Sequence, residues 1–542
     1  MGSKKIHLKF YTILILFIIF SGSIFLSGMD SADALKAKNT KSPKNFGNAT
    51  NNIVCGDKLC SEISQNVSDG GAKLLSTVPS VTVSNNDTFD LTASQITKNI
   101  DGKTLQMFGY NEQTPGPLLI VSQGDEITVN FTNNLDLPTT VHWHGLRLDS
   151  ASDGVPGVSQ NPVLPGETFQ YYLKFPDTGT FFYHPHVKTE MQMDMGLYGN
   201  ILVESKNSDN LPVDYEIPLF LDDISIVDDE LQSFDPDITT HTLMGRFGNT
   251  MIANGDANLS LEFKQGDIVR FYLTNAANTR TFDFGIEQQK IKLIADDASE
   301  YEKQEFVDSV ILASSERRTV DVLFEKPGKY DITHSTPDKT YVLGTISIIP
   351  SLNNIDSNFY SIKQNSDIIQ EIDPFRKFFS DPPDLELEFD IKTMSMDDHS
   401  MSMGVHEKEI DEIEWEDEMP KMNAMSDDEN TKWIIRDMNS GKEGFDIGYQ
   451  ANVGDVKKIR LYNNPESAHP MQHPIHLHGQ RFLVLSEDGI PNDTLAWKDT
   501  VLVPTGKTVD ILVDLSNPGN WVMHCHILEH AEAGMITEII AN

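Results

Sequence analysis

The stretch GDEITVNFTN at residues 124–133 decides the fold, because the chain repeats it twice. The second copy is GDIVRFYLTN at residues 266–275, and the third is GDVKKIRLYN at residues 454–463. In each copy a Gly-Asp turn leads into an alternating segment, the pattern of a β-strand. A second phrase, with a turn, a strand, a glycine and a histidine, recurs at residues 165–184 and 505–524. Repeats of this length indicate duplicated domains rather than solenoid units.

Short strands separated by turn signals predict an all-β protein of three β-sandwich domains. The length of 542 residues fits that number of domains. We place the domains at residues 76–207, 208–352 and 384–542, the third with an insert at 392–430. The spacing of the repeated phrase supports the insert, since the third copy follows the second at a longer interval than the second follows the first.

The chain carries 81 acidic and 42 basic residues, a formal net charge of −39. Phosphates would be repelled by this surface, which argues against a nucleic-acid partner. The charge favours solubility and attraction of metal cations. A more general explanation of the excess of acidic residues is adaptation of the protein surface to salt or to an acidic exterior.

The N-terminus predicts export. Three lysines precede an apolar run from Phe10 to about Gly28, so residues 1–34 are predicted to be a signal peptide or an N-terminal membrane anchor. Either would place the protein outside the cytoplasmic membrane. Residues 35–75 are rich in Asn, Ser and Lys and predict a flexible linker. For Cys55 and Cys60 in this linker a small disulfide loop is the default expectation, with metal capture as the alternative.

Four His-x-His pairs dominate the remaining sequence. On a strand the two histidines of such a pair share a face. Cys525 lies between two of these histidines and faces the other way. With His530 and Met535 it supplies three parts of the Cys, His and Met ligand set of a blue-copper site. The four pairs are His142/His144, His184/His186, His476/His478 and His524/His526.

Over residues 75–542 these motifs resemble the multicopper oxidase family, in its three-domain laccase-like and cuprous oxidase branch. The resemblance implies cupredoxin-like Greek-key domains and four copper ions: one type 1, one type 2 and two type 3. It implies His473, Cys525 and His530 as type 1 ligands with Met535 axial, and His142 and His476 as type 2 ligands. The implied type 3 ligands are His144, His184, His186, His478, His524 and His526.

At two positions near these motifs the family has a carboxylate, and this chain matches the family at only one of them. Asp153 stands where the family has a carboxylate near the copper cluster, although an ordinary turn Asp before Gly is the alternative. Many relatives carry Glu directly after the last type 1 histidine, where this chain has Ala531. Glu529 and Glu532 are therefore the candidates for proton delivery, with solvated acidic residues as the alternative.

The middle repeat lacks the paired histidines. Where the first domain has His142-Trp143-His144-Gly145, the second has Phe282-Asp283-Phe284-Gly285, and near the other motif it retains only His334. We therefore expect domains one and three to form a trinuclear copper site at their interface, with domain two as a copper-free spacer.

The insert is rich in methionine, whose thioether suits Cu(I). A Cu(I) relay and a disordered acidic loop are the two interpretations of this segment. Upstream of His473, Met471 and His469 are further candidates for a substrate copper, with packing over the type 1 site as the alternative for Met471. The candidate insert ligands are Met394, Met396, His399, Met401 and Met403.

The expected activity is oxidation of a substrate at the type 1 site, with electron entry at an exposed edge of His473, coupled to reduction of O₂ to water. Cu(I) or another metal ion is the first candidate substrate, and a phenol or other organic reductant is the second. A small blue-copper protein is a candidate donor. A copper-binding electron-transfer or storage protein is the alternative of another class. We expect a monomer.

Overall fold

The computed structural model describes residues 72–205, 212–235, 237–393 and 412–542, and the backbone of two paired strands, Ile53–Cys55 and Lys58–Cys60. The predicted signal peptide or anchor, the Cys55 and Cys60 side chains and the candidate ligands from Met394 to Met403 lie outside the described residues. Within the described part, no helix has the length and apolar character needed to span a membrane.

The first sandwich packs a four-stranded sheet against a five-stranded sheet. In spatial order the smaller sheet contains Thr168–Lys174, Glu126–Asn133, Thr88–Ile100 and Lys103–Tyr110. The larger contains Ser80–Thr82, Leu118–Ser122, Gly199–Glu204, Gly179–His184 and His142–His144. Every second residue of Glu126–Asn133 is buried, as the alternating pattern of the first GD phrase predicts.

The second sandwich has a seven-stranded and a five-stranded sheet. The larger contains Thr250–Ala253, Tyr215–Ile224, Ile268–Asn275, Arg317–Leu323, Ile291–Asp296 and Ser299–Val307, with Lys73–Leu74 paired to Tyr215–Ile224. The smaller contains Leu259–Lys264, Thr340–Ile349, Gly328–Ser335, Phe282–Ile286 and Ser309–Leu312. A short hairpin joins Ile226–Val227 and Glu230–Leu231.

The third sandwich repeats this plan. Its larger sheet contains Thr431–Asp437, Leu385–Thr393, Val456–Asn463, Thr508–Asp514, Arg481–Glu487 and Ile490–Pro491, with Trp497–Lys498 paired to Arg481–Glu487. Its smaller sheet contains Tyr449–Ala451, Ile536–Ala541, Gly519–Cys525, His473–Leu477 and Thr500–Val503. The predicted all-β fold of three sandwiches is confirmed.

Helices are short and lie in the connections. The α-helices are Thr189–Asp194, Ser366–Ile372, Pro420–Asn423 and Leu528–Glu532. The 3₁₀ helices are Ser150–Ser152, Ser357–Tyr360, Asp373–Phe378 and Gly444–Asp446.

The apolar core of the first sandwich continues into the third. Leu483, Leu485, Leu495, Trp497 and Leu512 of the third belong to the same buried cluster as Trp143 and Tyr183 of the first. The second sandwich has its own core, in which Phe282 and Phe284 are fully buried. The first and third sandwiches therefore share a packed interface, on which the histidine motifs lie.

The C-terminal end of the predicted linker, residues 35–75, belongs to the second sandwich in the structure. Lys73–Leu74 adds a strand to the second sandwich, and Leu75 is buried in the core of that sandwich. Leu74 and Leu75 are apolar, and burial of their side chains is more favourable than exposure to water in a flexible linker. This explains the difference.

Candidate copper site

Strand pairing brings the histidine motifs together in each sandwich. In the first, His142 lies directly opposite His184 on the neighbouring strand. In the third, His476 lies opposite His524. The two sandwiches thus present equivalent histidines at the ends of equivalent strands, as expected for duplicated domains.

The eight histidines meet across the interface between the first and third sandwiches. The His142 ring stacks on His478 with 3.9 Å between centroids, and the His144 ring stacks on His476 at 3.6 Å. Seven of the eight side chains are buried, and His186 is half-buried. We refer to His142, His144, His184, His186, His476, His478, His524 and His526 as the interface cluster.

Six of the eight rings in this cluster form two triangles of three rings each. The rings of His144, His184 and His526 lie 5.2–5.6 Å apart. The rings of His186, His478 and His524 lie 5.2–5.4 Å apart. His142 and His476 remain, with 5.7 Å between their centroids. Each triangle combines histidines of both sandwiches, so neither sandwich completes a group of three alone.

The hydrogen bonds leave ring nitrogens that fit metal ions. His478 Nδ1 bonds to Asp153 Oδ2 at 2.9 Å, and His524 Nδ1 bonds to its neighbour's carbonyl oxygen, Cys525 O, at 2.8 Å. In neutral rings both Nδ1 atoms then donate, and the two Nε2 atoms face each other as lone pairs at 3.1 Å. Two facing acceptors are compatible only with a proton or a cation at that position.

The same logic applies elsewhere in the cluster. His184 Nδ1 donates to Pro185 O at 2.9 Å, and His184 Nε2 faces His144 Nδ1 at 3.4 Å. Four buried Nε2 atoms have no hydrogen-bond partner, and a buried polar atom without a partner is costly. They belong to His142, His186, His476 and His526.

Burial favours the neutral form, which binds metals, in several histidines of the cluster. Burial lowers the pKa of His186 to about 3. Burial is also the largest cause that lowers the pKa of His144, His184 and His524 well below the usual value. Because neutral imidazole is the ligand form, copper would not have to displace protons at neutral pH.

Two buried carboxylates orient the cluster from opposite sides. Asp153 accepts from His478 Nδ1, and its main-chain oxygen lies 2.8 Å from His142 Nδ1. Asp499 Oδ1 lies 3.1 Å from His144 Nε2, and its main-chain oxygen lies 2.9 Å from His476 Nδ1. Asp153 was predicted from the sequence, whereas Asp499 was not, since its distance from the histidine motif differs from that of Asp153. Such carboxylates fix the tautomer and orientation of a metal-binding histidine.

The second sandwich also reaches the cluster. Arg317 is fully buried and forms an ion pair with Asp499, while Ser314 Oγ lies 3.3 Å from His526 Nδ1. Gly145 has a φ of +84°, and a Cβ there would lie 2.9 Å from Arg317 Nη2. The expected role of domain two as a spacer is therefore incomplete, because its side chains help to position the histidines.

A second group of candidate ligands lies on the other face of the Gly519–Cys525 strand. Cys525 Sγ lies 3.6 Å from His473 Nδ1 and 3.9 Å from His530 Nδ1. Met535 is fully buried in the same apolar cluster, and its carbonyl accepts from the Cys525 N–H at 3.1 Å. The Ile527 N–H donates to Cys525 Sγ at 3.4 Å, the type of contact that tunes a thiolate–copper site. Cys525 therefore connects this group to His524 and His526 through the main chain.

The expected exposed edge of His473 is not present in the structure. His473 is only 1% exposed, and the rings of Trp433 and Phe389 pack against it at 4.9 and 5.7 Å. The expectation is wrong because residues distant in sequence cover the ring, which strand alternation alone does not reveal.

The candidate substrate ligands beside this group differ in their surroundings. Met471 is fully buried in the apolar cluster of Cys525 and Met535. His469 is 8% exposed, its buried Nε2 has no hydrogen-bond partner, and burial lowers its pKa to about 4. His469 thus has the atom that a metal ion requires, whereas Met471 is enclosed by its neighbours.

The described part of the insert, residues 412–430, is packed rather than loose. Glu414 and Gln472 exchange two hydrogen bonds of 2.7 and 3.2 Å. Asn423 is fully buried and its side chain bonds to the main chain of Met244 and Gly245. This segment therefore covers the surface next to His473.

The acidic residues after the last motif occupy different environments. Glu532 is exposed, while Glu529 is fully buried, with burial raising the pKa of Glu529 to about 7. Glu190 is also buried, and burial followed by the charges of Glu532 and Glu529 raises its pKa to about 8. Asn278 contacts both, donating to Glu190 O at 2.7 Å and to Glu529 Oε1 at 3.5 Å. Glu190 was not predicted from the sequence, since it lies in a helix without a recognised motif.

Three β-sandwiches with an imidazole cluster next to a Cys, His and Met group define a copper oxidoreductase. Comparison with known proteins gives the same result, since three models of the multicopper oxidase family match residues 92–208, 226–349 and 414–542. The chain belongs to the multicopper oxidase family.

Individual relatives are distant but cover most of the chain. It is 27% identical to multicopper oxidase mco of Staphylococcus aureus, over 81% of this chain and 84% of that protein. Copper resistance protein A of Escherichia coli is 24% identical over 83% of this chain and 92% of that protein. The crystal structure of a multi-copper oxidase from Pseudomonas thermotolerans superposes with a TM-score of 0.64 and 26% identity, covering 85% of this chain and all of that one.

Proposed function

We propose that this enzyme oxidises Cu(I), or another metal ion, and couples that oxidation to the four-electron reduction of O₂ to water. The single observation that carries the proposal is the interface cluster, whose eight rings meet beside the Cys525 group. An electron-transfer or storage protein would need the Cys525 group or a set of ligands, but not both joined through one main chain.

His473, Cys525, His530 and Met535 would hold the type 1 copper. His142 and His476 would hold the type 2 copper, while the two ring triangles would hold the type 3 pair. Bound copper supplies one-electron chemistry at the first position and O₂ reduction at the others.

The chain's own residues position and insulate these centres. Cys525 provides the covalent path, because its main chain continues directly to His524 and His526. Asp153 and Asp499 hold the histidine tautomers. Burial raises the pKa of Glu529 to about 7 and that of Glu190 to about 8, so at neutral pH each carboxyl holds a proton in a substantial fraction of molecules and is suited to supply protons for O₂ reduction.

The described residues on either side of the stretch 394–411 favour a metal ion as the substrate. Thr393 pairs with Thr431, two residues before Trp433, and the residues after 411 bond to Gln472, the neighbour of His473. The described residues on both sides of that stretch therefore adjoin neighbours of the Cys525 group. The similarity to a copper resistance protein agrees with this choice. The acidic surface would also attract cations.

An organic reductant is the second candidate. The burial of His473 disfavours it, since a phenol ring has no open edge of that imidazole to contact. We further propose export from the cytoplasm, from the lysines and apolar run at the N-terminus.

The test replaces the Met and His residues of 394–403 by Ser and Gln at constant length, so that the packed segment 412–430 is preserved. Steady-state rates with Cu(I), Fe(II) and a phenol are then compared with those of the unaltered protein. We expect Cu(I) oxidation to fall and phenol oxidation to be maintained. A control that changes Asp397 and Asp398 to Asn keeps every thioether and should retain Cu(I) oxidation. Equal Cu(I) rates in all three proteins would refute the relay.

A further inference from the structure

The two histidine rings beside Cys525 are covered by one indole. The ring of Trp433 stacks on His530 with 4.1 Å between centroids and an interplanar angle of 27°. The same ring meets His473 edge-on at 4.9 Å and 72°. Among the residues that the structure describes, Trp433 is the aromatic side chain in contact with both rings.

Trp433 is fixed in this position at several points. Its Nε1–H donates to Thr242 O of the second sandwich at 2.6 Å, and its main-chain N–H donates to Ala533 O at 3.2 Å. Its main chain also pairs with Ile391 on the neighbouring strand. Only 2% of its surface is exposed. Moving the indole would break a buried hydrogen bond, so the cover is a fixed part of the fold.

The cover has different consequences for the two classes of reductant. An organic donor transfers its electron best when its own ring lies against a ligand ring, and the indole occupies that space at His530 and part of it at His473. A metal ion needs no such stacking, because it can be held by side chains outside the indole. The indole contacts both rings, so an electron that passes through it would cross no gap before His473 or His530.

We propose that Trp433 is the specificity-determining residue of the electron-entry site, excluding organic reductants from His473 and His530 while leaving a packed path for an electron from a metal ion. The inference rests on the proposed function. In the step concerned, one Cu(I) ion outside the indole loses one electron and becomes Cu(II). The type 1 site gains that electron, which O₂ finally accepts, and no proton moves in this step.

The experiment compares Trp433→Ala, which removes the cover, with Trp433→Phe, which retains an aromatic cover. Phe359→Ala is the matched control, because the Phe359 ring is equally buried and packs against Phe306 of the second sandwich. Bleaching of the type 1 absorption is followed anaerobically after mixing with a small hydroquinone or with Cu(I). The midpoint potential of the type 1 site is measured in each variant, to separate a change of driving force from a change of access.

The quantity compared is the ratio of the hydroquinone rate constant to the Cu(I) rate constant, in which driving force at the type 1 site largely cancels. We expect this ratio to rise about tenfold or more in Trp433→Ala, a modest change in barrier height. It should remain near the original value in Trp433→Phe and Phe359→Ala. An unchanged ratio in Trp433→Ala would overturn the proposal.

If Trp433→Ala fails to fold or to show the blue absorption, Trp433→Leu takes its place, since it keeps an apolar side chain but removes the ring. Failure of the proposed function has a different signature. The original protein would then be bleached by hydroquinone and not by Cu(I), whatever the ratio in the variants.

Discussion

At the scale of single residues, Cys525 has two roles. Its thiol faces His473 and His530, and its main chain continues to two histidines of the interface cluster. Burial raises the pKa of the Cys525 thiol, so the thiolate would form when a metal binds rather than in the free protein. The covalent path and the ligand are thus the same residue.

We expect Cys525→Ser to abolish the blue absorption and all oxidation of metal ions and phenols, because a hydroxyl does not replace a thiolate as a copper ligand. The eight histidines are untouched, so copper bound at the interface should be retained. Absorption spectra, copper analysis and oxygen uptake check these outcomes. Substantial residual turnover would show that electrons do not enter at this residue.

The raised pKa of Glu190 predicts how the free energy of unfolding depends on pH. Burial raises the pKa of Glu190 from its ordinary value of 4.5 to about 8 in the folded protein, so between these pH values the folded state binds more protons than the unfolded state. The free energy of unfolding therefore falls as pH rises through this range, by at most about 1.4 kcal/mol per pH unit for one group. Its neutral counterpart Glu190→Gln should lose less stability than the original apoprotein between pH 5 and 8.

Urea unfolding of copper-free protein at several pH values provides the measurement. The exposed Glu305 offers the control, because Glu305→Gln should follow the original pH dependence. Identical slopes for Glu190→Gln and the original protein would mean that Glu190 is ionised in the folded state. The buried histidines act in the opposite direction below pH 6.5, which does not affect the comparison between variants.

At the scale of strands and loops, the sequence predicted what depends on local pattern. The alternating GD phrases are strands, and the paired histidines do share faces, since the rings of His142 and His144 lie 5.8 Å apart and those of His524 and His526 lie 5.5 Å apart. Trp433 and Asp499 were not predicted, because their roles come from contacts between segments far apart in sequence. The pattern of one strand contains no information about what packs over it.

Segment 412–430 depends on Asn423, whose side chain accepts from the Met244 N–H at 3.0 Å and donates to Gly245 O at 2.8 Å. We expect Asn423→Ala to reduce the free energy of unfolding by about 1–3 kcal/mol, because it leaves buried main-chain groups without partners. It should also make residues 412–430 more sensitive to protease. Asn439→Ala, at an exposed turn, is the control, and equal protease sensitivity in the two variants would contradict this account.

At the scale of the whole molecule, duplication explains where the cluster lies. Each outer sandwich contributes four histidines, and the ring triangles close only across their shared interface. The second sandwich keeps aromatic residues at the equivalent positions and contributes Arg317 and Ser314 instead. The sequence predicted the interface from the pattern of retained and lost histidines. It did not predict the contribution of the second sandwich, because that contribution uses residues outside the repeated motifs.

The central claim is that oxidation beside Cys525 is coupled to complete reduction of O₂ at the interface cluster. The most direct test measures O₂ uptake and peroxide release by the copper-loaded protein supplied with a known amount of Cu(I), with Cys525→Ser as the blank. We predict one O₂ consumed for every four Cu(I) ions oxidised, without peroxide. Release of peroxide at one O₂ for every two Cu(I) ions, or uptake no faster than with Cys525→Ser, would contradict the account.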